Sequence, residues 1–171
     1  KYIISVGRLV RPKNYPLLIK AYSLLAENNL IKLIIVGDGP EKQHLKQLIS
    51  ELNLDGRVIL LGYIKNPYPL IKNAELLVLC SDWEGFSLVL IEALALGKTI
   101  LATDCPSGPR EILDNGKYGL LVPINNLKKV AEGISQIIKS EVKFNKELMF
   151  QRANYFTIEN SFNHFIEILQ R

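Results

Sequence analysis

Leu76-Leu-Val-Leu-Cys-Ser-Asp-Trp-Glu-Gly-Phe-Ser-Leu-Val-Leu-Ile-Glu-Ala-Leu-Ala-Leu-Gly97 decides how this chain folds. Its opening run, Leu76-Leu-Val-Leu79, has no polar alternation, as expected of a parallel strand covered on both faces. The stretch Ser87-Leu-Val-Leu-Ile-Glu-Ala-Leu-Ala-Leu-Gly97 also lacks a polar stripe and reads as a helix buried between layers. Glu92 is its sole charge. An ionised carboxylate inside an apolar helix needs a partner, since breaking a buried pair costs about 3–5 kcal/mol. Glu84 lies eight positions earlier, where strand turns into helix. Two carboxylates around a helix N-terminus point to a polar ligand above the end of a sheet. The alternative is a carboxylate satisfied by a neighbouring side chain or water.

Outward from this unit the same alternation repeats. Strands are expected at 2–6, 32–36, 57–61, 76–80, 98–102 and 119–122. Helices are expected at 14–28, 41–53, 67–73, 87–96, 108–114 and 126–140, then at 145–154 and 158–170. Strictly alternating elements imply right-handed crossovers and a parallel sheet with helices on both faces. The predicted fold is therefore a doubly wound α/β domain with strand order 3-2-1-4-5-6. Ligands of such sheets bind beyond the carboxyl ends of the strands, near the reversal of strand order. That places the loops 7–14, 37–40, 62–65, 81–86 and 103–108 on the functional face.

With 171 residues, 48% hydrophobic and 22% charged, the chain suffices for one core. No apolar run reaches the roughly 18–20 residues that span a bilayer, and no secretory signal opens the sequence. The start in a strand-like run, Tyr2-Ile-Ile-Ser-Val-Gly7, reads as a fragment cut at a domain boundary. Cys80 and Cys105 form neither metal spacing nor a disulfide framework, and a reducing, cytoplasmic setting fits them. His44 and His164 are isolated and make no ligand cluster. The net charge of +4 is spread too diffusely to argue for nucleic acid.

The first loop, Gly7-Arg-Leu-Val-Arg-Pro-Lys-Asn14, lacks G-x-G-x-x-G, and no P-loop occurs, which disfavours NAD, FAD and P-loop chemistry. It offers cations instead, suited to phosphate oxygens unless merely solvated. Gly37-Asp-Gly-Pro40 starts a helix with proline in its first turn; turn chemistry alone accounts for it, or glycine backbone approaches a ligand. Glu84-Gly-Phe-Ser87 opens a helix whose free amides and dipole favour an anion. Side chains lean toward a helix N-terminus, so Glu92 reaches the same mouth. Trp83 is read as a packing residue. In Asp104-Cys-Pro-Ser-Gly-Pro-Arg-Glu111, proline and glycine set a sharp helix entry, with Ser107 and the Gly108 amide facing the mouth. Ile158, Phe162, Phe165, Ile166 and Leu169 form one apolar stripe, expected to pack onto protein. Together, a basic loop, a helix N-terminus and hydroxyl-seeking carboxylates describe a sugar nucleotide.

Gly7-Arg8-Leu9 with Lys13-Asn14, then Gly37-Asp38-Gly39-Pro40, then Glu84 and Glu92 with seven residues between them, resemble the retaining family-4 glycosyltransferases. The resemblance runs over nearly the whole chain. It implies the Rossmann-like, C-terminal donor-binding half of a GT-B enzyme, residues 1–171 forming one domain with its last helices packing back and the N-terminal acceptor domain absent. By resemblance, Arg8 and Lys13 grip the donor diphosphate and stabilise the leaving nucleotide, with no metal or other cofactor. Glu84 contacts the donor sugar and Glu92 the ribose hydroxyls. Gly7, Gly37 and Gly39 complete the donor site, with amides of Gly85, Phe86, Ser87 and Leu88 on sugar or phosphate. Backbone near Tyr63 and Ile64 meets the base, taken as uracil.

The stretch 104–111 is similar to enzymes of bacterial surface polysaccharides such as O-antigen, which implies a UDP-sugar donor, best guessed as UDP-N-acetylgalactosamine, and a lipid-linked saccharide acceptor. A cytoplasmic setting follows, with room for peripheral inner-membrane association of the full-length enzyme. As supplied, the chain is expected to bind donor and turn over poorly. Two alternatives stand beside this: a non-catalytic nucleotide-binding or interaction module of the same fold, and a sugar-nucleotide epimerase, against which the glutamate spacing argues.

Overall fold

Apolar residues on alternate sides of each strand build two cores, one on each face of a single sheet. In a computed structural model that describes residues 1–26 and 31–170, the sheet is six-stranded and parallel, in the order β3-β2-β1-β4-β5-β6. The strands are β1 (Tyr2–Val6), β2 (Lys32–Val36), β3 (Val58–Gly62), β4 (Leu76–Leu79), β5 (Ile100–Thr103) and β6 (Leu120–Val122). Ile3 of β1 faces Leu33 on one side and Leu76 on the other. The predicted strand order is the observed one.

The helices are α1 (Tyr15–Ala26), α2 (Lys42–Glu51), α3 (Tyr68–Asn73), α4 (Leu88–Ala95), α5 (Pro109–Ile112), α6 (Leu127–Ile138), α7 (Lys146–Tyr155) and α8 (Ile158–Leu169). A short 3-10 turn at Arg11–Lys13, which helical periodicity did not announce, precedes α1. Positions 27 and 28, expected in the first helix, and the side chain of His164 lie outside the described residues. Ile3, Leu33, Ile35, Val78 and Leu101 pack with α1, α2 and α6, whereas Ile4, Leu77, Leu79 and Ala102 pack with α3, α4, α5 and α7. Neighbours in sequence thus point into opposite cores, as the two-residue period of a strand requires.

Two expectations need correction. First, α4 is not buried all round. Leu90, Ala93 and Leu94 face the core, but Leu88 is 65% exposed, Ala95 is exposed and Glu92 is half-buried. These three follow one another at helical spacing, so they form an outward edge, and a cavity opens above its first turn. An apolar side chain facing a cavity is indistinguishable in sequence from one facing a core. Second, only α7 packs back, burying Met149 and Ala153 against the α4 layer. The α8 stripe is largely uncovered: Ile158 is 91% exposed, and Phe162, Phe165 and Leu169 are exposed with it. No described helix is long and apolar enough to cross a membrane.

Candidate functional site

The chain runs outward through β1, β2 and β3, then crosses back to β4, so strand order reverses between β1 and β4. The loop after β1 is anchored before it reaches the site. Gly7 N–H donates to the Val36 carbonyl at 3.0 Å, Leu9 N–H to the Asp38 carbonyl at 2.9 Å, and the Leu9 side chain is buried. Asn14 closes the loop in the left-handed region, at φ 44°, a conformation asparagine tolerates. Its side chain accepts from Leu17 N–H and donates to Asp82 at 2.7 Å and Asn125 at 3.0 Å. Asp82 N–H donates to the Pro12 carbonyl at 2.8 Å. The β1 and β4 loops are thereby sewn together, which sets Lys13 opposite Glu84.

Lys13 Nζ donates to Glu84 Oε1 at 2.5 Å, and the Ser81 hydroxyl donates to the same oxygen at 2.5 Å. Arg8, by contrast, is exposed and has no partner among the described residues. The amides of Gly85, Phe86, Ser87 and Leu88 likewise donate to no described residue. They sit at the positive end of α4 and are open to an anion. Glu92 Oε1 accepts from the Tyr68 hydroxyl at 3.3 Å, and the charge of Glu92 holds the Tyr68 phenol above its usual range.

Two cavities meet here. One of about 480 Å³ is lined by Lys13, Trp83, Glu84, Gly85, Phe86, Ser87, Leu88 and Glu92. The other, about 440 Å³, is lined by Gly37, Asp38, Tyr63, Ile64, Lys65 and Pro67. Val6, Gly7 and Arg8 line both, so Arg8 stands at the junction. Of the donor-site residues that the resemblance implied, all but Gly39 border this double cavity. Gly39 serves the loop instead: a Cβ there would lie 2.4 Å from the Leu9 carbonyl oxygen.

Other readings change. Trp83 is no packing residue; it is 61% exposed on the cavity rim. Ser107 and Gly108 line neither cavity but brace the loop from behind. The Ser107 hydroxyl donates to the Glu84 carbonyl at 2.5 Å, and a Cβ on Gly108 would come within 2.8 Å of the Gly85 carbonyl oxygen. Arg110 grips Asp104 through two nitrogens and holds that carboxyl below its usual range. The Phe86 ring packs edge-on against Phe156 at 5.6 Å. Tyr68 went unnoticed in sequence, and Asp38, Lys65 and Ser81 fell within the loops placed on the functional face without being named as site residues; of these, Ser81, polar directly after an apolar strand and three residues before Glu84, carried the most legible signal. Among the described residues no group of three His, Cys, Asp or Glu is placed to hold a metal ion.

A doubly wound sheet with a basic loop, a free helix N-terminus and two carboxylates at its switch point has its polar groups where sheets of this class hold phosphorylated ligands. Comparison with known proteins makes the class specific. The model of the family "Glycosyl transferases group 1" matches residues 1–155, and the chain belongs to that family. It is 42% identical over 141 residues to the Campylobacter jejuni N-acetylgalactosamine-N,N'-diacetylbacillosaminyl-diphospho-undecaprenol 4-alpha-N-acetylgalactosaminyltransferase, covering 82% of this chain and 38% of that protein. Among solved structures, the lipopolysaccharide outer core galactosyltransferase WaaB superposes with a TM-score of 0.86 at 25% identity, over 98% of this chain and 48% of that one. HepE of Anabaena in complex with UDP gives 0.83 at 25% identity, over 99% and 48%. The chain thus spans less than half the length of each.

Proposed function

We propose that this chain is the donor-binding unit of a retaining glycosyltransferase that uses a UDP-sugar, with UDP-N-acetylgalactosamine as the leading donor and a lipid-linked saccharide of bacterial polysaccharide synthesis as acceptor. One observation carries the reading: Arg8, unpaired among the described residues, stands where two cavities join. Uracil enters the cavity beside Tyr63 and Ile64. The ribose diol binds Glu92, whose second oxygen has no partner among the described residues. The diphosphate lies across Arg8, Lys13 and the α4 amides, and the sugar reaches Glu84. That the C. jejuni relative is named for N-acetylgalactosamine transfer, and that HepE is solved with UDP, supports the assignment.

Catalysis in this reading is electrostatic. As the bond from sugar to diphosphate breaks, charge grows on the leaving oxygen, and fixed cations and amides stabilise it without reorganising. Arg8 and Lys13 take the part a divalent ion plays elsewhere, so the reaction proceeds without one. Glu84 orients the sugar and forms no covalent bond to it. The acceptor is held by a second unit, so this chain alone binds donor and turns over slowly; the whole enzyme works on the cytoplasmic side, at the membrane that holds its acceptor.

Calorimetric titration with UDP and UDP-sugars tests this. Binding that disappears in an Arg8→Ala, Lys13→Ala double variant supports the enzyme over a non-catalytic module. Absence of heat at millimolar nucleotide would end it.

A further inference from the structure

Among the described residues, the buried polar side chains are Ser5, Ser81, Ser87 and Thr103, all at or beyond the carboxyl ends of β1, β4 and β5. Ser81 is the one joined to a charge. It is fully enclosed, its hydroxyl donates to Glu84 Oε1 at 2.5 Å, and its carbonyl accepts from the Thr103 hydroxyl at 2.6 Å. A hydroxyl without access to water must spend its proton on a protein acceptor. Here that acceptor is the carboxylate assigned to the donor sugar.

The same oxygen is also held by Lys13. An ammonium facing a cavity has a second use, because an arriving diphosphate competes for it. Once Lys13 turns to the diphosphate, Ser81 is the remaining donor on Oε1. Glu84 lines the cavity, and its Oε2 has no partner among the described residues. We propose that Ser81, anchored by Thr103, is a positioning residue: it pins Oε1 of Glu84 inward so that Oε2 stays aimed at the donor sugar while Lys13 engages the diphosphate. This rests on the donor-site reading above.

The test compares the affinity of this chain for UDP with that for UDP-N-acetylgalactosamine and UDP-galactose, in the wild type, Ser81→Ala and the near-isosteric Ser81→Cys. Thermal unfolding checks that each variant folds. UDP affinity should stay within about twofold, because base, ribose and diphosphate do not touch Ser81. The ratio of UDP-sugar to UDP affinity should fall about tenfold in Ser81→Ala, the scale of one hydrogen bond to a charged group, and about threefold in Ser81→Cys, whose thiol donates weakly. Should Ser81→Ala fail to fold, the Ser81→Cys ratio decides. An unchanged ratio, or parallel weakening of UDP and UDP-sugar in a folded variant, overturns the role of Ser81 and leaves the donor site standing. Failure of the wild type to bind UDP overturns both.

Discussion

Lys13 and Glu84, 71 positions apart in the chain, meet in a 2.5 Å ion pair at the mouth of the sheet. Both side chains are mostly shielded from water, so the pair spends a cation that a diphosphate also needs. The ligand must therefore draw Lys13 away from its carboxylate. Glu84→Gln should tighten inorganic pyrophosphate binding by about three- to tenfold, equivalent to roughly 1 kcal/mol, and Lys13→Ala should weaken it. The gain should shrink with added salt. Titration of both variants at two ionic strengths checks this, and a Glu84→Gln protein with unchanged affinity would contradict the competition.

Glu92 offers the ribose one carboxylate already steadied by Tyr68. A hydrogen bond to a charged group contributes about 1.5–3 kcal/mol, so Glu92→Ala should lose about ten- to a hundredfold in UDP affinity. Its selectivity is the sharper readout. The wild type should prefer UDP to 2′-deoxy-UDP, and Glu92→Ala should bind the two alike. Tyr68→Phe, removing a long bond at the surface, should change UDP affinity less than about threefold.

Glycines of one loop cluster separate backbone demands from ligand demands. At Gly37, φ is +144° and a Cβ would sit 1.9 Å from the Gly7 carbonyl oxygen, whereas at Gly85 nothing lies within 4 Å. Gly37→Ala should cost about 2–4 kcal/mol and lower Tm by roughly 5–10 °C. Gly85→Ala should leave Tm nearly unchanged while weakening donor binding, because its methyl faces the cavity. Calorimetric melting of both variants decides it.

The doubly wound fold was legible because Leu33 to Val36 and Leu76 to Leu79 carry the unbroken apolar runs that only strands covered on both sides require. The loops followed, since the carboxyl ends of those strands form the functional edge in any such sheet. Side-chain partnerships across the chain were less accessible. Lys13 and Glu84 were each assigned to the site, but no local pattern announces that they neutralise one another. Leu88 and Trp83 were read as buried because hydrophobicity reports a preference for leaving water, not whether the space next to a residue is filled by protein or left open for ligand. Gly39, assigned to the donor site by resemblance with turn chemistry as the alternative, sits against the Leu9 backbone and lines neither cavity.

Cys80 and Cys105 are both buried, and burial pushes both thiols up from their usual range, with the charge of Glu84 adding to the rise at Cys105. Thiolates are the reactive form, so neither should react with a disulfide reagent at pH 8 in the folded protein. Both should react once denatured. Fast labelling of Cys105 in the native state would show that the 104–111 loop opens.

Tyr15 ties the first loop to the core by donating its phenolic proton to the Gly7 carbonyl at 3.0 Å. Burial drives that phenol well above its usual range; the Ser5 hydroxyl offsets this only in part, and the charge of Glu84 reinforces it. In the unfolded chain a tyrosine releases its proton near pH 10, whereas native Tyr15 still holds one there. Above that pH the unfolded state binds fewer protons than the native state, so stability falls as pH rises. The contribution is fully present below about pH 10 and disappears as pH climbs toward the native value. Tyr15→Phe lacks this linkage but gives up the hydrogen bond, which should cost about 1 kcal/mol at pH 7. The two urea denaturation curves should therefore differ at pH 7 and 8 and converge above pH 10, at a rate approaching about 1.4 kcal/mol per pH unit. A gap that persists at pH 11 would mean that water already reaches the phenol beneath Gly7.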